Sequence, residues 1–64
     1  MTPGSPTLAD RIRGEFLEMP GLRLTPRQAS RLWALDAYTS ERILDELRAA
    51  GFLERTSEGA YLRT

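Results

Sequence analysis

The sequence predicts a mainly α domain closed by a small β-hairpin, an α+β fold in the order helix, strand, helix, helix, strand, strand. Three observations point there. Apolar residues recur at helical spacing in Leu8-Ala9-Ile12-Phe16 and again in Ile43-Leu44-Leu47. Thr25-Pro26-Arg27-Gln28 carries the start signals of a helix: a Thr N-cap, Pro at the first helical position and Gln at the third. Gly51 then stands where a helix stops, before two short apolar runs separated by Ser57-Glu58-Gly59.

Met1 to Pro6 reads as a disordered tail, with two prolines, a glycine and small polar residues that offer nothing to bury. Residues 7–64 then read as a single domain. Thr7, with Asp10 three residues on, starts a first helix in the manner of a capping box. Leu8, Ala9, Ile12, Phe16 and Met19 fall on one side of it, with Glu15 inside that stripe and Leu17 off it. Met19-Pro20-Gly21 ends it, because the residue before a proline is pushed out of helical geometry. Leu22-Arg23-Leu24 alternates over three residues and suits a short edge strand able to join the hairpin.

A second helix starts at Pro26, uses Ala29, Leu32 and Trp33 as its apolar face, and ends at Leu35-Asp36. Asp36 caps a third helix at once, whose inward stripe is Ser40, Ile43, Leu44 and Leu47. Phe52 to Thr56 and Ala60 to Arg63 form the hairpin, with Gly59 able to take positive φ in the turn. Helices of about ten residues and a lone hairpin are each marginal in isolation, so all must share one core. The residues expected there are Ile12, Phe16, Leu32, Trp33, Leu35, Ile43, Leu44, Leu47, Phe52 and Leu62.

The element order, with Arg31 to Asp36 as the end of a helix and its turn and Thr39 to Leu53 as the next helix and its exit, resembles a winged helix-turn-helix, as in small bacterial regulator domains. In that family two inward Leu-type positions precede an Ala-Gly-hydrophobic exit into the wing, as Leu44, Leu47 and Ala50-Gly51-Phe52 do here. The resemblance covers Thr7 to Arg63 and implies a DNA-binding transcriptional regulator, with the third helix as recognition helix; the cytoplasm is the location expected of a chain with no visible signal peptide or membrane span.

Composition narrows the chemistry. The 64 residues include nine Arg, no Lys, nine Asp plus Glu, no His and no Cys, for a formal net charge of zero. No thiol nucleophile, disulfide, His relay or zinc finger is available. No cofactor motif or catalytic constellation is present, so the chain does not read as an enzyme. No apolar run is long enough to span a membrane, and no signal peptide is visible.

The functional candidates are therefore binding residues. Arg27 and Arg31 lie one turn apart on the second helix, with no acid between Thr25 and Leu35. Two such guanidinium groups can grip successive phosphates or an acidic protein partner. Tyr38, Glu41, Arg42 and Asp45 are expected on the outward face of the third helix. Tyr38 and Arg42 suit base edges and Thr39 a phosphate, while the acids oppose the backbone. The same face reads equally as a solvated surface laced by pairs such as Arg42 with Asp45 or Glu46. Arg55 on the wing suits a backbone or minor-groove contact, against Glu54 and Glu58 nearby. The partner is thus double-stranded DNA or an acidic protein, and an exposed Leu17 could seed a homodimer.

Overall fold

Helix starts in this chain are set by local hydrogen bonds from three capping side chains. In the computed structural model, which describes residues 7–64, α1 spans Leu8–Glu18, α2 Pro26–Leu32 and α3 Ala37–Ala49. Thr7 Oγ1 accepts from Asp10 N–H at 3.1 Å, and Asp36 Oδ1 from Thr39 N–H at 3.3 Å. Thr25 and Gln28 form the full reciprocal box, Gln28 N–H to Thr25 Oγ1 at 3.2 Å and Thr25 N–H to Gln28 Oε1 at 2.9 Å. Each bond satisfies an N–H that the helix itself leaves without a partner. The tail expected over Met1 to Pro6 lies outside the described residues.

The strands are β1 (Arg23–Leu24), β2 (Leu53–Arg55) and β3 (Tyr61–Arg63). They form one antiparallel sheet in the order β1-β3-β2. Opposite residues are Leu24 with Tyr61, and Arg55 with Tyr61 on the other side. The hairpin closes where Thr56 N–H donates to Ala60 O at 2.8 Å, with Gly59 at φ 87°. The protein is therefore a small α+β fold of three helices and a three-stranded antiparallel sheet. Among the described residues no helix is long and apolar enough to cross a membrane.

The core is built by Ile12, Phe16, Leu24, Ala29, Ile43, Leu44, Leu47, Leu53 and Tyr61, with Trp33, Leu35 and Phe52 half-buried against it. Three expectations fail here. Leu32 is 56% exposed rather than internal. On a helix of only two turns the buried line runs through Ala29 to Trp33, four residues on, and Leu32 falls to one side of it. The hairpin also turns its other face inward. Leu53 and Tyr61 are buried, whereas Leu62 lies on the outer face in register with Arg23 and Glu54. With period-two geometry a one-residue shift exchanges the faces completely. Phe52 is instead covered by charged stems, with the Arg13 and Arg63 guanidinium groups each 5.3 Å from its ring centroid. Met19, expected on the apolar side of α1, is also exposed, since the helix stops at Glu18 and Met19 is already its cap.

Helix α2 ends earlier than Leu35-Asp36. Trp33 is its C-cap, Ala34 adopts φ 56°, and Leu35 N–H reaches back to Ser30 O at 2.9 Å. That is the six-to-one bond of a Schellman cap, here with alanine in the left-handed position.

Candidate nucleic-acid interface

Three elements meet at one end of the molecule. The cap at Thr25 brings α2 out with Arg27 in its first turn, and the cap at Asp36 does the same for Tyr38 on α3. Arg55 ends β2, directly before the hairpin turn. Because β1 pairs with β3, the start of α2 is carried to the hairpin tip. The result is an open groove whose charged and aromatic lining is Arg27, Tyr38, Glu41, Arg55 and Glu58. Tyr38 is 68% exposed there. Arg55 is fixed from below, its guanidinium carbon 6.0 Å from the Tyr61 ring centroid.

Of the six candidate residues, the groove assembles Arg27, Tyr38 and Arg55. Arg31 is exposed in the last turn of α2 and lies outside the lining. Thr39 is half-buried, its backbone N–H committed to Asp36. Arg42 is exposed and paired with Glu46, Nη2 to Oε2 at 3.6 Å. That is the helix-surface pairing anticipated for a solvated face, and it is weak at this exposure.

Asp45, half-exposed on α3, turns to the sheet and not to the groove. Its carboxylate accepts the Tyr61 hydroxyl at 2.8 Å and lies 3.4 Å from Arg48 Nε. The Tyr61 hydrogen bond, aided by Arg48, holds the Asp45 carboxyl below its ordinary range against the opposing pull of desolvation. Burial first, and the Asp45 bond second, push the Tyr61 hydroxyl up. Asp45 thus ties α3 to the sheet and is absent from the groove lining. The remaining charges in the groove are Arg27 and Arg55 against Glu41 and Glu58.

Sequence reasoning did not anticipate Glu58 and Thr25 as neighbours in this groove. Their local roles, a turn acid and a helix cap, are visible in the sequence. Their proximity depends on the pairing of β1 with β3, for which two residues of strand give little sign. No protein-family model, curated protein or solved structure matches this chain.

Proposed function

We propose that the chain is a winged-helix DNA-binding domain of a transcriptional regulator, with α2 and α3 as the helix-turn-helix and β2-β3 as the wing. The observation that carries this reading is the convergence of Arg27, Tyr38 and Arg55, from α2, α3 and the hairpin, on one exposed groove. In this docking the start of α3 enters the major groove while α2 and the wing lie along the backbone. Arg27 and Arg55 contact phosphates, and Arg31 extends the same track. Tyr38 lies over base edges, joined by Arg42 once it exchanges its exposed Glu46 pair for a base. Glu41 limits non-specific attraction and can accept from cytosine N4.

A second reading is a winged-helix module that docks an acidic protein segment on Arg27 and Arg31. It draws on the balanced charge of the groove, two arginines against two glutamates, which offers phosphates no net attraction.

Titration of labelled mixed-sequence duplex at low and moderate salt decides between them. DNA binding gives an affinity that falls steeply with salt. Arg27→Ala and Arg55→Ala then each lower the slope by about one, whatever the sequence, whereas Arg42→Ala flattens sequence preference. Glu41→Gln tightens non-specific binding. Absence of binding at low salt, for both the native chain and Glu41→Gln, overturns the DNA reading.

A further inference from the structure

We infer that the cleft between α1 and α2 is a self-association surface, covered by a second copy of this chain in a two-fold symmetric pair. The cleft is floored by Leu8, Ile12, Leu32 and Trp33 and edged by Arg11 and Glu15. It shares no lining residue with the groove of Arg27, Tyr38 and Arg55, so the inference does not depend on DNA binding.

Two properties single out this surface. The first is unpartnered apolar area. Leu32 is 56% exposed, and Trp33 and Leu8 are only half-buried. A chain of 64 residues has a small core, and covering this strip adds to what holds it together.

The second property names the occupant. Arg11 and Glu15 stand one turn apart on α1, at the cleft edge. The ion pairs among the described residues are Arg42–Glu46 and Arg48–Asp45, so neither Arg11 nor Glu15 is engaged. Arginine preceding glutamate is also the less favourable order for a pair within one helix. Two copies of α1 packed antiparallel, with the two-fold axis level with Arg13, place Arg11 opposite Glu15 of the second copy and Glu15 opposite its Arg11. A surface that carries its own complement across a two-fold axis is what an isologous interface requires. The patch is small, so the pair is a weak one, with a dissociation constant on the order of 100 µM.

Sedimentation equilibrium of the full chain without DNA, from about 1 µM to about 1 mM, tests this. The expected result is a rise from monomer to dimer mass, with a blue shift of Trp33, the sole tryptophan, over the same range. Arg11→Glu alone and Glu15→Arg alone set like charges against each other and weaken the dimer about tenfold or more. The double reversal restores it to within about threefold, since the complementarity is regained. Leu32→Asp, at an exposed position, abolishes association while leaving the circular dichroism spectrum and cooperative melt intact. A monomer mass for the native chain throughout overturns the proposal and leaves the cleft to a different occupant. Failure of the double reversal to recover what the single changes lose, or a Leu32→Asp chain that still dimerises, also overturns it.

Discussion

Helices α2 and α3 end with the same hydrogen bond and opposite local chemistry. At the end of α2, Leu35 N–H bonds Ser30 O at 2.9 Å; at the end of α3, Phe52 N–H bonds Leu47 O at 3.0 Å. The residue between helix and exit is left-handed in both, Ala34 at φ 56° and Gly51 at φ 84°. Glycine takes that conformation freely, whereas an L side chain costs about 1 kcal/mol there. The α3 exit is therefore relaxed by itself. The α2 exit carries a local cost that packing has to offset, and the packing on hand is Trp33, whose ring lies 6.4 Å from Phe16 between centroids. One turn is held by its own residue, and the other by the body of the protein.

On that division, removing the packing anchor does the greatest damage. A fully buried tryptophan would cost about 3–5 kcal/mol on truncation; half-buried Trp33 puts Trp33→Ala at about 2 kcal/mol. Denaturant titration should show the loss, and hydrogen exchange should show Leu35 N–H losing protection before Phe52 N–H. A Trp33→Ala chain as stable as the native one would place the restraint on Ala34 elsewhere.

The α3 side has a long-range tie of its own in the bond from Tyr61 to Asp45. Tyr61→Phe deletes it and should cost about 1 kcal/mol near neutral pH, since the carboxylate is half-exposed. The gap between native and Tyr61→Phe chains should close at both ends of the pH scale. Asp45 has its folded-state pKa lowered, so its contribution is present above the ordinary carboxylate range and is lost as pH falls through the folded value. Tyr61 has its pKa raised, so the native chain loses stability as pH rises past the ordinary tyrosine value, a loss the Phe variant lacks. Thermal melts across pH check both limbs; a gap independent of pH would contradict the bond.

The two left-handed positions themselves give the mirror-image pair. A Cβ built on Gly51 meets nothing within 4 Å, so Gly51→Ala reports backbone conformation alone and should cost about 1 kcal/mol. Ala34→Gly should stabilise by about 0.5 kcal/mol, the conformational relief less the extra entropy of glycine in the unfolded chain. Combined, the two changes should leave a net loss of about 0.5 kcal/mol in chemical denaturation. Destabilisation by Ala34→Gly would show that the alanine methyl contributes packing that outweighs its strain.

The same contrast separates what is legible in the sequence from what is not. Thr7, Thr25 and Asp36 announce their helices because each cap acts on an N–H three residues away. Gly51 and Gly59 announce positive φ because little else adopts it readily. Ala34 announces nothing, and a reading by residue type carries α2 on to Leu35-Asp36. The hairpin is equally mute about its phase. Phe52-Leu53 and Tyr61-Leu62 each put one apolar residue on either face, and strands of three residues are too short for alternation to choose. The candidate groove lies further out of reach. Arg27 and Tyr38 follow recognisable caps, but their meeting with Arg55 depends on sheet order, and the withdrawal of Asp45 depends on which face Tyr61 takes.

The strand in the middle of the sheet is also the last of the described elements in sequence order. Strands β1 and β2 have no edge to pair until β3 is in place, because each bonds only to β3. Tyr61 shares one core cluster with Ile12, Phe16 and Leu44 of the helices and with Leu24 and Leu53 of its two neighbouring strands. Pairing of β3 is then one event that completes the core, ties down Asp45 and sets Arg55 at the groove together. A chain without Tyr61 to Arg63 would therefore present neither a finished core nor the candidate binding surface.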